Sequence, residues 1–536
     1  MIWSTWILLA PVSLVSATFG FGASQSNNFG RPGTNASFDF VVVGGGPAGL
    51  AMASRLAESG TYSVAVVEAG GFYELENGNL TIVPGYYTPN IDGALVNWNF
   101  ETTPQVPFGN KSFPYARGKA LGGSSALNAM LYQRGTKQSY DLWASMVGDD
   151  SYNFDSFLPY FHRSANYTPP NAQIRAANAS VPDPSAIAYN QTGGPLHVTH
   201  SNWATPFASW GQAALREIGL PDIADFSSGE LLGSQYCPLT IVPRDQTRGS
   251  SEATYLRSTV AKGRQNLKIY THTLAKRILF NGNKMATGVV VESNGVAYTL
   301  SATKEIVVSA GAFQSPQLLM VSAANSYNGN GTGILASNNA DYLGWEKIPA
   351  SNRANLSASA QKDIATFPAD WPDFEFVVGS FNPGSTLAED ISYGFVETAL
   401  ITPLSRGNIS IASNDTSDSP LINVGWLSNE TDIEMGIQAV KLLPGLNVTT
   451  DEDIRRFITT TPMTVYHASC TCAMGKVEDP MAVIDSKARV IGVQRLRVVD
   501  ASSFPLLVPG HPQSTIYALA EKISEDILNE YSSSTS

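Results

Sequence analysis

Near its N-terminus the chain places short, fully apolar runs on either side of a glycine-rich break and a helical pattern. The run Phe40–Val43 leads into glycines at 44–46 and 49, and apolar residues then recur at helical spacing as far as Ala57. A second run, Val64–Val67, ends at Glu68. Apolar runs of this length are typical of buried parallel strands. The order strand, tight turn, helix, strand and acid predicts a dinucleotide-binding unit over residues 38–71.

Each glycine of such a turn has a physical task that this segment can perform. Gly44 permits the sharp turn, Gly46 lets the backbone approach a pyrophosphate, and Gly49 lets the helix lie close to the strand. The start of the helix offers free N–H groups to phosphate, and Glu68 would accept hydrogen bonds from a ribose. The segment therefore indicates an adenine dinucleotide and leaves FAD and NAD both open.

Apolar and β-branched runs later in the chain predict further strands. We expect them at Leu196–Thr199, Leu267–Thr273, Ala275–Phe280, Ala286–Ser293, Glu305–Ser309, Phe374–Val378 and Leu496–Val499. Residues 18–37 read as a loose lead-in, and residues 72–113 as an irregular segment that wraps a site. After Pro512 the apolar residues follow helical spacing from Ile516 to Ile527, which predicts a C-terminal amphipathic helix.

Composition limits the classes of protein that this chain can belong to. With 536 residues, 43% hydrophobic and 15% charged, the chain predicts a folded protein of more than one domain. The net charge of −12, with Lys and Arg scattered, disfavours a nucleic-acid partner. The three cysteines, Cys237, Cys470 and Cys472, suit neither a disulfide framework nor a metal site, so we expect small buried residues and no bound metal.

The first seventeen residues are typical of a signal peptide. They form a short apolar core and end in Val15-Ser16-Ala17, although no Lys or Arg precedes the core. No later run is long and apolar enough to predict a membrane span. Export is also indicated by N-x-S/T sequons, which predict N-linked glycans and begin at Asn35, Asn79, Asn110, Asn166, Asn178, Asn190, Asn330, Asn355, Asn408, Asn414, Asn429 and Asn447.

A second glycine-rich turn lies within Arg117–Met130. Gly122 and Gly123 are followed by Ser124 and Asn128, so backbone N–H groups, a hydroxyl and an amide occur together. Taken alone, an ordinary tight loop and a phosphate or ring contact explain this turn equally well. Together with the first unit it favours FAD, because a buried flavin is often bound by several separated segments.

These residues resemble the glucose–methanol–choline (GMC) oxidoreductases, FAD-dependent enzymes that oxidise alcohols. Arg117–Met130 resembles their first signature, and the chain is closest in style to the secreted fungal branch. Similar stretches follow in the family's order at Ser309–Ser322, Ser405–Ile411, Tyr466–Gly475, Val499–Pro505 and His511–Gln513. The resemblance spans nearly the whole chain after residue 17.

The resemblance implies an α/β fold, with a discontinuous Rossmann-type FAD-binding domain and a second, antiparallel-sheet substrate-binding domain. The first would comprise residues 38–150, 231–325 and 455–536, and the second residues 151–230 and 326–454. The C-terminal segment would supply the last strand and helix of the first domain. No histidine lies between Gly70 and Leu158, so we expect dissociable FAD. The implied cofactor-binding residues are Gly44, Gly46, Pro47, Ala48, Gly49, Glu68, Arg117, Gly122, Gly123, Ser124, Asn128, Ala129, Ala275, Asp500, Ala501, Pro512 and Gln513.

Two of the six histidines are candidates for catalysis. Alcohol oxidation needs a base for the hydroxyl proton, and imidazole has a suitable pKa. By resemblance His467 is the base and His511 orients the alkoxide. The other four, at positions 162, 197, 200 and 272, have ordinary contexts and are expected to be structural or surface groups.

The sequence departs from the family after Ser322. A glycine-rich element that usually follows is replaced by a short polar run to Thr332, so the chain is expected to lack a piece that covers the flavin. The leading hypothesis is a secreted oxidase or dehydrogenase acting on an aromatic or secondary-metabolite alcohol, with O2 or another electron acceptor. The alternatives are an FAD-containing lyase or cyclase of the same fold, and an inactive flavin-binding variant.

Overall fold

A computed structural model describes residues 26–87, 94–190, 193–323, 340–381, 393–442, 450–460 and 464–533. The strands are β1 (Ala36–Val43), β2 (Val64–Val67), β3 (Phe100–Glu101), β4 (Pro114–Tyr115), β5 (Ala165–Tyr167), β6 (Leu196–Val198), β7 (Gly233–Tyr236), β8 (Ile241–Val242), β9 (Thr247–Arg248), β10 (Leu267–Tyr270), β11 (Leu274–Phe280), β12 (Ala286–Ser293), β13 (Val296–Val308), β14 (Ala340–Glu346), β15 (Phe374–Phe381), β16 (Tyr393–Leu400), β17 (Asn408–Ser410), β18 (Leu421–Asn423) and β19 (Leu496–Val498).

The helices are distributed among these strands along the chain. They are α1 (Pro47–Glu58), α2 (Tyr73–Glu76), α3 (Asn79–Ile82), α4 (Lys137–Val147), α5 (Phe154–Ser164), α6 (Pro206–Glu217), α7 (Arg257–Ala261), α8 (Gly311–Ala323), α9 (Ala350–Arg353), α10 (Ala358–Ile364), α11 (Glu430–Lys441), α12 (Asp451–Thr460) and α13 (Gln513–Ser533). No helix in the described ranges is long and apolar enough to cross a membrane.

Most of the apolar runs found in the sequence belong to one sheet. Its strand order is β10-β2-β1-β13-β12-β11, and β19 lies beside β13. The pairs β1–β2, β1–β13, β2–β10 and β13–β19 are parallel, whereas β11, β12 and β13 are antiparallel. Phe40–Val43 and Val64–Val67 are almost fully buried because this part of the sheet is covered on both faces.

The two ends of the chain meet in this domain, as predicted. Strand β19 pairs with β13, and helix α13 packs along α1, with Leu519, Ile523 and Ile527 fully buried. Arg55 of α1 also donates a hydrogen bond of 2.8 Å to the buried carboxylate of Glu521 in α13. The dinucleotide-binding domain is therefore discontinuous.

A second, antiparallel sheet of β14, β15 and β16 forms the substrate-side layer. A bridge between Leu232 and Trp345 connects it to the segment that leads into β7. The domain boundaries stay predictions, and one contact bears on them. Helix α5 lies in the segment assigned to the second domain, yet it packs against α13, and its Phe157 and Phe161 belong to the main core.

Three details of the predicted elements were wrong. Strand β13 begins at Val296, well before the predicted Glu305, because its first half alternates exposed and buried residues and does not form an apolar run. Strand β6 pairs in parallel with β5 and lies outside the antiparallel substrate-side sheet. Strand β1 begins at Ala36, inside the segment predicted to be a loose lead-in.

Candidate functional site

The first glycine turn lies between β1 and α1, and its glycines are enforced by close contacts. Gly44 has φ +105°, and a Cβ there would lie 2.3 Å from the carbonyl oxygen of Ser309. A Cβ at Gly49 would lie 1.9 Å from the carbonyl oxygen of Gly44. Helix α1 then begins at Pro47, with Gly46 at its N-cap. The N–H groups of its first turn, beginning at Ala48, are therefore available to a phosphate.

The second glycine turn packs directly against the first. Gly122 has φ +98°, and its N–H donates a hydrogen bond of 2.8 Å to the carbonyl oxygen of Gly45. Gly123 has φ +50°, and a Cβ there would lie 2.7 Å from Cα of Gly46. The two turns are distant in sequence and together form one cradle whose walls are bare backbone. Such a surface fits a pyrophosphate, because no side chain separates it from the N–H groups.

Glu68 closes one side of this cradle. Its Oε2 accepts a hydrogen bond of 2.8 Å from the N–H of Gly45, and its Oε1 accepts one of 2.9 Å from the N–H of Gly70. Burial raises the pKa of this carboxyl to about 7, and the two backbone N–H groups oppose that shift. Each oxygen keeps further lone-pair capacity, so Glu68 can orient the turn and also accept from a ribose hydroxyl.

Asn128 and Gln513 join the second turn to the start of α13. Asn128 Nδ2 donates to Gln513 Oε1 at 3.2 Å, and Gln513 also donates to the carbonyl oxygen of Leu131. Sequence reasoning missed Arg248, a buried residue that donates to the carbonyl oxygen of Asn128 at 2.6 Å. The run Arg248-Gly-Ser-Ser251, an arginine before glycine and hydroxyl residues, was the available signal.

Asp500 is a connector between protein segments. Its carboxylate accepts hydrogen bonds from the N–H of Gly311 at 2.8 Å, from Ser315 Oγ at 2.6 Å and from the N–H of Ser502 at 2.8 Å. Burial raises its pKa, and these donors oppose that effect. Asp500 therefore fixes the start of α8 against the C-terminal segment. Its role in cofactor binding stays a prediction.

The remaining predicted cofactor residues make contacts within the protein, mainly through backbone groups. Ser124 Oγ accepts from the N–H of Gly118 at 3.3 Å, and Ala129 lies partly buried beside Leu131. The carbonyl oxygens of Ala275, Ala501 and Pro512 accept from Thr416 Oγ1 at 2.7 Å, the N–H of Cys470 at 3.0 Å and the N–H of Ile516 at 3.0 Å, respectively.

The two candidate histidines are in direct contact. His511 Nδ1 and His467 Nε2 are 3.1 Å apart, and the rings are nearly perpendicular at 88°. His511 Nε2 in turn lies 3.2 Å from Glu375 Oε1, a side chain that is 2% exposed. Sequence reasoning missed Glu375, which is on β15. The sequence did offer a signal, because Glu375 is an acidic residue between two phenylalanines in an apolar strand. Its position beside the C-terminal histidines depends on the packing of the second sheet.

Arg117 connects the second glycine turn to the histidine pair. Its Nη2 donates a hydrogen bond of 2.7 Å to the carbonyl oxygen of Tyr466, the residue before His467. Its guanidinium lies over the rings of Tyr115 and Phe313, at 4.7 and 5.1 Å. Burial, and then the charges of His511 and Arg117, hold the pKa of His467 well below its ordinary value of 6.5. His467 is therefore neutral at pH 7 and able to accept a proton.

Other titratable and sulfur-containing residues lie outside this arrangement. Among the remaining histidines, Nε2 of His162 is bonded to the carbonyl oxygen of Ile187 and Nε2 of His200 to that of Tyr236, while His272 pairs with Glu76. Cys237 and Cys472 are buried, as expected, and Cys470 is partly so. Within the part of the chain that the structure describes, no cluster of His, Cys, Asp and Glu is arranged to hold a metal ion.

The geometry of this site is typical of one class of protein. An adenine dinucleotide fits the bare-backbone cradle and Glu68, and the histidine pair and Arg117 lie where the second turn leads away from that cradle. A dinucleotide held in this way beside a neutral histidine is typical of an α/β oxidoreductase.

Comparison with known proteins identifies the family. Models of the GMC oxidoreductases match residues 38–338 and 403–520. Patulin synthase of Aspergillus clavatus is 44% identical over 97% of both chains, and versicolorin B synthase of Aspergillus parasiticus is 38% identical over 95% of this chain and 90% of that protein. A solved FAD-dependent oxidoreductase from Chaetomium thermophilum has a TM-score of 0.78 at 24% identity, covering 92% of this chain and 99% of that one.

The chain belongs to the GMC oxidoreductase family and is an FAD-dependent oxidoreductase. One difference in length accompanies this match. The alignment with patulin synthase spans 613 positions, but it includes only about 520 residues of this chain, which is 97% of 536. About 93 residues of the relative therefore have no counterpart here. This agrees with a missing piece. Its placement after Ser322 stays a prediction, since residues 324–339 lie outside the described ranges.

Proposed function

We propose that this oxidoreductase oxidises an alcohol, with His467 as the acceptor of the hydroxyl proton. The observation that supports this role best is the hydrogen-bonded row of His467, His511 and Glu375. Bound FAD supplies the hydride acceptor for such a reaction. The protein must then supply a base, a means of orienting the hydroxyl oxygen, and a counter-charge for the proton that the base takes up.

The row provides all three. His467 is neutral at pH 7, and its Nε2 faces Nδ1 of His511, so the two atoms share one position for a proton. A substrate hydroxyl that takes the place of the contact between the two rings would be oriented by His511 and would give its proton to the unprotonated nitrogen of His467. Glu375 accepts from His511 Nε2, so positive charge that spreads to His511 is balanced by a buried carboxylate. A positioned base of this kind contributes about 10²–10⁴-fold in rate.

For the substrate we propose an aromatic or secondary-metabolite alcohol. Tyr466, the residue before His467, packs into an aromatic cluster: Tyr115 contacts Tyr466 and Phe313, and Phe313 contacts Phe100. The names of two relatives, patulin synthase and versicolorin B synthase, favour the same class of compound.

Anaerobic mixing of the holoenzyme with aryl and heteroaryl alcohols tests the proposal. We expect the oxidised flavin absorbance to bleach at a rate that saturates with alcohol concentration, because the hydride has no other acceptor. Subsequent mixing with O2 or an artificial acceptor identifies the second half-reaction. A second candidate, an FAD-containing lyase or cyclase, is favoured by the match to a protein named versicolorin B synthase. It predicts product without bleaching, and a flavin that neither bleaches nor supports turnover contradicts both.

The Glu375→Gln variant tests the role of the carboxylate. Glutamine keeps the shape of the side chain but removes the negative charge beside His511. A hydrogen bond to a charged group contributes about 1.5–3 kcal/mol. We therefore expect flavin reduction to slow by about 10–100-fold. FAD content and thermal stability should change little. The exposed Glu478→Gln variant is the control, and wild-type reduction kinetics in Glu375→Gln at all pH values would remove this role.

We also propose that the protein is exported and N-glycosylated. Residues 1–17 lie outside the described ranges, but the sequons can be judged. Most of those that are described begin at exposed asparagines, namely Asn35, Asn79, Asn110, Asn178, Asn190, Asn355, Asn408 and Asn414. Exposed acceptor sites are required of a glycoprotein. A decrease in the mass of the secreted protein on treatment with an N-glycosidase is the expected result.

A further inference from the structure

Helix α6 presents a large aromatic side chain to solvent on the substrate-domain side. Trp210 is 73% exposed, and Trp203, in the loop before the helix, is 66% exposed. Indole is the largest apolar side-chain group, so removing its exposed surface from water is favourable. The question is therefore what covers Trp210.

The neighbour of this helix is a sequon asparagine. Asn178 begins the sequence Asn178-Ala179-Ser180, and both Asn178 and Ser180 are exposed. Asn178 Nδ2 donates a hydrogen bond of 3.3 Å to Oγ of Ser209, the residue before Trp210. Ala179 is 4% exposed and packs in the same core cluster as Ala208 of α6. The acceptor side chain is thus fixed against the helix that carries Trp210.

The distance is short enough for a sugar to span. With Nδ2 at 3.3 Å from Ser209 Oγ and consecutive Cα atoms 3.8 Å apart, Trp210 Cα lies within about 10 Å of the amide nitrogen. The indole itself extends beyond that Cα. An N-linked asparagine keeps one Nδ2–H, so its hydrogen bond to Ser209 can remain and can direct the first sugar along α6.

We propose that Asn178 carries an N-linked glycan whose first sugar rings pack on the indole of Trp210. In the transfer, a bond forms between Nδ2 and C1 of the sugar, the C1–O bond to a lipid-diphosphate donor breaks, and one amide proton is released. The C–H face of the sugar then covers the indole, and its hydroxyls face water. The inference rests on the proposed export, because the transfer takes place in the secretory pathway.

Hydroxyl-radical footprinting of the secreted holoenzyme, read by peptide mass spectrometry, tests the inference. Stacking on one face of an indole removes about half of its accessible surface, so Trp210 should be oxidised about twofold or more faster in Asn178→Gln than in wild type. Met481, 80% exposed and in the FAD-binding domain, provides the internal reference. Asn355→Gln removes another exposed sequon and should leave the oxidation of Trp210 unchanged.

Two variants of Ser180 separate the glycan from the asparagine itself. Ser180→Ala destroys the sequon while keeping the contact between Asn178 and Ser209, and should expose Trp210 as Asn178→Gln does. Ser180→Thr preserves the sequon and should keep Trp210 protected. Absence of sugar from every sequon would overturn the proposed export. Two results would overturn this inference and leave the proposed export standing. One is sugar at other sequons but not at Asn178, and the other is sugar at Asn178 without protection of Trp210.

Discussion

Replacing His467 with alanine is expected to leave FAD bound and to slow flavin reduction by about 10²-fold or more. The imidazole is the base in our proposal, and alanine leaves the substrate hydroxyl with no acceptor beside it except His511, whose Nδ1 would have lost its neighbour. The cradle for the dinucleotide is formed by other segments, so cofactor content should not change. Stopped-flow measurement of flavin bleaching with saturating alcohol checks the rate, and the absorbance of the purified protein checks the cofactor.

The pH dependence provides a second readout of the same substitution. The pKa of His467 is held well below 6.5 by burial and by His511 and Arg117, so in the wild type the acid limb of the reduction rate should lie below pH 6.5. In His467→Ala that limb should disappear. His197→Ala, at a half-buried histidine outside the site, is the matched control. Unchanged reduction kinetics in His467→Ala would remove His467 from the mechanism.

Replacing Gly49 with alanine is expected to weaken FAD binding by about 10²-fold. The added Cβ would lie 1.9 Å from the carbonyl oxygen of Gly44, a separation that no real pair of such atoms allows. Either α1 moves away from β1 or the turn is displaced, and both changes disturb the N–H groups that face the pyrophosphate. Strain of about 3 kcal/mol, typical of severe overpacking, corresponds to an affinity about 10²-fold weaker. FAD titration monitored by flavin fluorescence measures this loss.

Gly282→Ala is the control for Gly49→Ala. Gly282 lies in the turn between β11 and β12, and a Cβ there would meet nothing within 4 Å. We expect this variant to bind FAD as the wild type does. Circular dichroism should show that Gly49→Ala still folds, so that loss of flavin reports the site. Retention of wild-type affinity in folded Gly49→Ala would contradict the geometry of the cradle.

Local patterns in the sequence were sufficient for much of the fold. The apolar runs at 40–43 and 64–67 form strands as predicted, because burial on both faces leaves a continuous apolar signature. The strand at 286–293 and the helix after Pro512 are also found as predicted. The family resemblance added the two-domain architecture and FAD, and the comparisons confirm both. Strand β13 was underestimated because one of its faces is polar along half of its length.

By itself the sequence determined the nucleotide-binding unit, because its glycines, helix and acidic residue lie close together along the chain. FAD and the two candidate histidines were inferred from several separated motifs that resemble one family. The tertiary structure alone decided which distant groups complete the site. The bond between Gly122 and Gly45, the contact of Arg248 with Asn128, and the carboxylate of Glu375 beside His511 all join residues more than seventy positions apart. Such contacts are set by the packing of whole sheets and helices, and the spacing of residues along the chain does not encode them.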